Sequence, residues 1–395
     1  MKSIIKYLNL KNVGLIEFLF SITPLLSGYN LSFIPMSSFM WVLMLLFVFI
    51  RNKRLKCENF MPLSLFVIYW LFRCITVLMD DNFNLMGPLM QLIWFFSVFA
   101  LYSVLDINKI RGSMNWIALI SIIGLLFQWS IISSGGGVKP LAIPGFVMDE
   151  VRMTGESIRP SSFFMEPAAY VAFMICPLQL ALTDKKYLWA IAIILSIFLT
   201  TSSTGLILSF VMLGMTVFTQ KFNFKVFIGI IFVGLSLYYV LTSFKAFEFG
   251  VNKLETTNVE TNVRLAQGVY VVSTMHPDEY FFGVPFSSPY NYCKSGRASD
   301  VIYYGESVYM STIWLIILCF GIVGLLLYLN IYWRIIKRNR ITIPLIVCLV
   351  IAMFSSSYAI GSTYIFTLVF LLVLMKSNTQ SSKIILNSRK INGEV

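Results

Sequence analysis

Roughly a dozen long apolar runs, separated mostly by short polar breaks, constrain this chain more than any single motif. A helix crossing about 30 Å of hydrocarbon needs about 20 residues at about 1.5 Å each. Such runs fall near 13–30, 34–50, 60–79, 86–105, 114–133, 163–182, 187–202, 204–219, 226–243, 308–330, 341–357 and 361–376. An aqueous fold could not absorb the surface involved: 58% of the 395 residues are hydrophobic, only 12% are charged, and mean hydropathy is +0.80. The expected fold class is therefore an all-α polytopic membrane protein, a single integral domain over 1–395 with about 12 transmembrane helices. Two turns are very tight: Ser27-Gly28-Tyr29-Asn30 in the first pair and Thr200-Thr201-Ser202-Ser203-Thr204-Gly205 between the seventh and eighth runs.

The net charge of +12 does not point to nucleic acid, because the basic residues lie in short clusters between apolar runs. Clusters of that kind anchor a chain to anionic lipid headgroups. With the N-terminus placed inside, the inner loops, the N-terminus and the C-terminal tail hold 21 of the 30 Lys and Arg and four acids: Glu58, Asp106, Asp184 and Glu394. The opposite side and the apolar runs hold nine basic residues and fourteen acids. The asymmetry puts both termini in the cytoplasm. No cleavable signal peptide is expected, since the first run carries Glu17 and lacks a small-residue cleavage site. The six cysteines show neither metal spacing nor a disulfide framework.

Two outer loops are large, 134–162 and 244–307, and polar loops of that length usually carry function. The second is rich in aromatics, and Val263 to Met275 has the spacing of an amphipathic helix lying in the interface. No internal repeat is visible, which weighs against a transporter built from inverted halves.

The first large loop ends in Arg159-Pro160-Ser161-Ser162-Phe163-Phe164-Met165-Glu166-Pro167. Two readings stand. Arg159 presents the fork that suits phosphate oxygens, or it snorkels to headgroups while Glu166 complements a helix dipole. Arg264 faces the same choice on its amphipathic helix. Arg73, inside the third run, either snorkels outward or is buried against a partner. Glu17 is expected to cap or pair. His276-Pro277-Asp278-Glu279 reads as a loop leading to a tight turn, and Glu306 either starts a helix or acts as a base. Walker A, Rossmann, zinc and Asp-x-Asp patterns are all missing from the sequence, so neither a cofactor nor a metal is expected.

The order of these pieces resembles the O-antigen ligase and polymerase superfamily, most closely the Wzy-type O-antigen polymerases. The matching residues are Arg159 to Pro167, then Ser202-Ser203-Thr204-Gly205 two runs later. Arg264-Leu265-Ala266-Gln267, His276-Pro277 and Gly283-Val284 follow in the second loop, and a polar pair then enters a run containing Gly321-Ile322-Val323-Gly324. The resemblance implies a GT-C-like, metal-independent, inverting glycosyltransferase at the periplasmic face of the bacterial inner membrane. Its substrates would be undecaprenyl-diphosphate-linked oligosaccharides, as donor and as acceptor, amid membrane lipids and with a chain-length-determining membrane protein as a further partner. Nucleic acid is not expected as a partner. On this resemblance Arg159, Arg264 and Arg73 would hold the diphosphate. Glu306, or second to it Glu166, would orient or deprotonate the acceptor hydroxyl. Tyr303, Tyr304 and Tyr270 would stack on sugars.

One position departs from the ligase pattern: a His-Asn pair would precede the tenth run, and here Glu306-Ser307 stands there. That favours polymerisation over ligation. A flippase or transporter is the alternative of another class, and it would place ionisable residues near the midplane of several runs, which here are nearly charge-free.

Overall fold

A computed structural model describes residues 2–8, 10–31, 34–51, 61–78, 83, 85–136, 141–148, 159–219, 232, 239, 263–285, 288–301, 310–356 and 361–391. Helices dominate: α1 (Lys2–Tyr7), α2 (Leu15–Ile22), α3 (Met36–Arg51), α4 (Met61–Thr76), α5 (Met86–Val104), α6 (Ile107–Ser133), α7 (Pro167–Thr183), α8 (Tyr187–Leu199) and α9 (Ser203–Thr219). After these come α10 (Val263–Ser273), α11 (Pro277–Phe282), α12 (Pro289–Tyr292), α13 (Thr312–Arg338), α14 (Ile343–Ser355) and α15 (Ser362–Ile391). Among the described residues three helices are long and apolar enough to cross a membrane: α5 with 19 residues, and α6 and α13 with 27 each. Shorter apolar helices occupy most of the other expected runs. The first run is the exception, because its α-helix covers only Leu15–Ile22 before a 3-10 turn at Leu25–Gly28. The ninth run, 226–243, lies almost wholly outside the described residues.

The outward faces of these helices are as apolar as their inward ones. Ile50, Ile68, Leu126, Leu188 and Leu326 are all exposed, the pattern of a surface made for lipid rather than water. α15 lies at the centre of the bundle, with 364–375 buried on every side. Its Phe366 stacks on Phe20 of α2 at 4.7 Å and tilts against Phe173 of α7 at 6.2 Å. Several polar side chains buried between helices bond backbone or one another. Asn115 donates to Leu8 O at 2.6 Å and accepts from Trp189 Nε1 at 2.9 Å, and Gln179 donates to Ile341 O at 2.9 Å. Without water, an unmet polar group costs several kcal/mol, roughly. Buried Glu17 has the capping role expected of it, accepting from Asp106 N at 3.3 Å.

A short antiparallel ribbon interrupts the helical plan at one end of the bundle. Its strands are β1 (Tyr29–Leu31), β2 (Ile34–Pro35) and β3 (Val147–Met148), in the order β2-β1-β3. β3 comes from the first large loop, so this ribbon fastens that loop to the tight turn after α2.

α13 is broken at Gly321, whose φ of 64° and ψ of −172° leave the helical region. A break inside an apolar bundle frees carbonyls that need donors. Three consecutive ones find them: Leu318 O accepts from Val284 N at 2.8 Å, Cys319 O from Arg73 Nε at 3.2 Å, and Phe320 O from Tyr69 Oη at 2.7 Å. The partner turn is equally constrained. Gly283 has φ of 86°, and a Cβ on it would lie 2.6 Å from Cys319 O, while one on Gly321 would run into Phe281 O. The two glycines thus let the turn after α11 press backbone to backbone into the break.

Gly283→Ala and Gly321→Ala should each lose the left-handed allowance, about 1–2 kcal/mol, plus the cost of the collision. Both should lower the thermal midpoint in detergent and the yield of folded protein. Gly214→Ala on α9, where an added Cβ meets nothing within 4 Å, should leave the midpoint unchanged or slightly raised.

Candidate functional site

The Arg159–Pro167 segment forms a tight buried turn that prepares the start of α7. Ser161 N and Ser162 N both donate to Gln128 Oε1 of α6, at 3.1 and 2.7 Å. Ser162 sits at φ of 57°, a conformation that costs a non-glycine residue about 1 kcal/mol or more and that these two bonds offset. Gly124 of α6 makes room, since a Cβ there would lie 2.5 Å from Ser162 Oγ. Tyr29 Oη closes the other side by donating to Phe163 O at 2.8 Å. Phe164 is fully buried against Tyr170 and Phe173. Glu166 is the N-cap residue of α7, with Pro167 at its first position, as the sequence pattern suggests. Arg159 and Glu166 are half-buried at the two ends of this turn.

Arg264 lies near the start of α10 and joins it to two further elements. Its Nη1 donates to Ser355 O at the end of α14, at 3.3 Å, and its carbonyl accepts from Ser311 N, the N-cap of α13, at 3.3 Å. Thr312 in turn donates its N and Oγ1 to Ser356 O, at 2.9 and 2.6 Å. A cation is favoured beside the carbonyl end of α14.

Beside this junction a crevice of about 30 Å³ runs down between α7, α9, α13, α14 and α15. Ala168, Thr204, Thr312 and Thr363 line its upper part, and each belongs to the first turn of its helix. Four helix N-termini therefore converge at the end of the bundle that also carries both loop regions. Their dipoles add partial positive charge there, and at α13 the first amides are already met by Arg264 O and Ser356 O. Deeper down the crevice is lined by Tyr328, Tyr332 and Tyr364, with Tyr328 and Tyr364 stacked at 4.9 Å. It admits about a water molecule.

The second loop has a small core of its own, formed by Val271, Val272, Met275, Val284, Tyr292 and neighbours, packed on the upper half of α13. α10 matches the amphipathic stretch expected at 263–275: Val271 and Val272 are buried while Val269 and Tyr270 are exposed. His276-Pro277-Asp278-Glu279, expected as a loop, instead opens α11. The Glu279 carboxylate accepts from His276 N at 2.8 Å and from Arg297 Nη1 at 2.7 and 2.8 Å. Burial opposes the Arg297 charge, yet its bonds to Glu279 and Tyr292 outweigh that and raise its pKa. His276 and Glu279 here hold the loop together.

The structure treats the proposed site residues differently. It sets Arg264 at the junction of α13 and α14 and leaves Tyr270 accessible on α10. Arg159 and Glu166 bound the turn leading to Ala168. Arg73 is elsewhere: only 5% exposed, it donates to Cys319 O and, from Nη2, to Val284 O at 2.5 Å. That is the burial against a partner left open by the sequence, and the partner is backbone rather than a diphosphate. Glu306, Tyr303 and Tyr304 lie outside the described residues. Among the described residues no three His, Cys, Asp or Glu side chains form a group that could hold a metal ion. Sequence reasoning missed Gln128, Tyr69 and the pairing of Gly283 with Gly321. A glutamine inside an apolar run was the visible signal for the first.

Arg73→Met should orphan two buried carbonyls, at about 1–3 kcal/mol each, and lower the thermal midpoint in detergent. Arg73→Lys should recover part of the loss. A wild-type midpoint in Arg73→Met would instead indicate that the guanidinium serves a ligand.

Compared with known proteins, the chain matches no family model, no curated protein and no solved structure.

Proposed function

We propose that this chain is a twelve-span glycosyltransferase of the bacterial inner membrane, acting as a polymerase of O-antigen or a similar surface polysaccharide. Both termini are cytoplasmic, and the loop end of the bundle is periplasmic. The enzyme transfers a growing glycan from undecaprenyl diphosphate onto the non-reducing end of a new lipid-linked repeat unit. The observation that carries this reading is Arg264 at the junction of α13 and α14, next to a crevice lined by the first turns of α7, α9, α13 and α15. A site that releases a diphosphate needs fixed positive potential, and helix N-termini beside an arginine supply it with little reorganisation.

The acceptor hydroxyl oxygen attacks the anomeric carbon from the face opposite the diphosphate. The anomeric C–O bond breaks, its electron pair leaves with the diphosphate, and the configuration inverts. The hydroxyl proton passes to a carboxylate, Glu306 by first assignment and Glu166 by second. Arg264 and Arg159 stabilise the departing diphosphate, and Tyr303, Tyr304 and Tyr270 offer rings for sugars to stack on. Arg73 acts at one remove, by holding the α13 break that positions the second loop.

The flippase alternative has less support. Transporters use interrupted helices to coordinate cargo with freed backbone groups, whereas the break at Gly321 has its carbonyls engaged by Val284, Arg73 and Tyr69. The related ligase shares the chemistry, and Glu306-Ser307 in place of the His-Asn pair speaks against it.

Deletion followed by a lipopolysaccharide gel separates the polymerase from the other two, and a flippase is told from a ligase by lipid-linked units stalled on the inner side. Loss of a polymerase leaves core bearing a single repeat unit, whereas loss of a ligase or a flippase leaves bare core. In the complemented strain, Arg264→Ala and Arg159→Ala should each cut long-chain product about 100-fold at normal protein level, and Glu306→Gln should shorten the chains. Undiminished long chains in the arginine variants would remove both from the site.

A further inference from the structure

At the end of the bundle opposite the loops, a second cavity of about 280 Å³ opens between α4, α5, α13 and α15. One wall is apolar, formed by Met61, Leu63, Leu65, Ile331, Leu372 and Met375. The other is basic, with Arg334, Lys337 and Arg338 from the last turns of α13, and Asn330 and Tyr102 between the two. Lys376 adds a fourth cation at the rim: its Nζ lies 5.3 Å from the Tyr102 ring centre and 3.4 Å from Tyr102 O.

Cations in the last turn of a helix complement its dipole, which explains one or two of them. It does not explain why three line a cavity whose opposite wall is apolar. Arg334, Lys337 and Arg338 are exposed, and among the described residues none forms an ion pair with a carboxylate. Lys337 lies over the ring of exposed Trp333 at 5.0 Å, and a tryptophan–lysine pair at a helix end marks the membrane–water boundary. The apolar wall does not stop at the cavity: Met61 and Leu65 are exposed and continue it onto the lipid-facing side of α4.

We propose that this cavity is a binding site for an anionic phospholipid of the surrounding leaflet. The phosphate and its headgroup sit among Arg334, Lys337 and Arg338, and the acyl chains run along Met61 and Leu65. The volume is small for a whole ligand and suits a headgroup whose chains remain in the bilayer. Basic pockets between spanning helices recognise anionic headgroups in this way. The site is distinct from the convergence of helix ends described above and stands whichever reaction that end performs.

The test is native mass spectrometry of the full chain, delipidated in detergent and titrated with phosphatidylglycerol or phosphatidylcholine. The expected result is one retained phosphatidylglycerol and no retained phosphatidylcholine. Each neutralisation, Arg334→Gln, Lys337→Gln or Arg338→Gln, should weaken retention about 5-fold. Arg334→Lys should stay within about 2-fold, since the charge remains. All three residues are exposed, so the variants should keep the wild-type thermal midpoint without lipid. Equal retention of both lipids, or undiminished retention in the triple neutralised variant, would overturn the proposal. So would displacement of phosphatidylglycerol by equimolar inorganic phosphate, which would make the site one for a free anion.

Discussion

The need to satisfy backbone groups where no water is present governs this molecule, and the break in α13 is where the need is most acute. Three successive carbonyls, those of Leu318, Cys319 and Phe320, lose their helical partners at Gly321 and are met by Val284 N, Arg73 and Tyr69. Those donors come from the second large loop and from α4, so one local defect joins the loop region to the helical bundle. The glycine pair makes the junction close, and the arginine places a positive charge at the carbonyl end of a half-helix. From this junction upward, α13 carries the loop's own core and ends at Ser311 and Thr312, where Arg264 is attached.

The same rule shapes the first loop. Gln128 meets two amides of the Ser161-Ser162 turn and Tyr29 meets a carbonyl on its other side, so the start of α7 is set by buried hydrogen bonds. Two loops remote in sequence are thus each anchored to spanning helices at one end of the bundle. Near them the first turns of four helices line one crevice. At the opposite end the basic residues gather, and Arg111 of α6 pairs with Asp184 at 2.9 Å. Burial raises the Asp184 pKa, although Arg111 and Lys186 pull the other way.

Much of this is legible in the sequence. Apolar runs such as 86–105 and 163–182 appear as α5 and α7 because length and composition leave a chain in lipid little alternative to a helix. The amphipathic spacing of 263–275 and the Glu166-Pro167 helix start were visible for the same local reasons. Tertiary pairings were not. Arg73 reads equally as a headgroup anchor, a ligand or a structural donor until its partner 246 positions away is known. His276-Pro277 reads as a loop leading to a tight turn, yet proline is well suited to a first turn. The β1–β3 pairing joins residues too few and too far apart to leave a periodic signal.

The central claim is that the loop end of the bundle elongates lipid-diphosphate-linked glycans with fixed cations and helix dipoles. Purified protein incubated with lipid-linked repeat units in excess chelator tests it most directly. A ladder of longer lipid-linked products, abolished by Arg264→Ala in a variant with an unchanged thermal midpoint, is the predicted result. Unchanged single repeat units with the wild-type protein, or an undiminished ladder with Arg264→Ala, would contradict it.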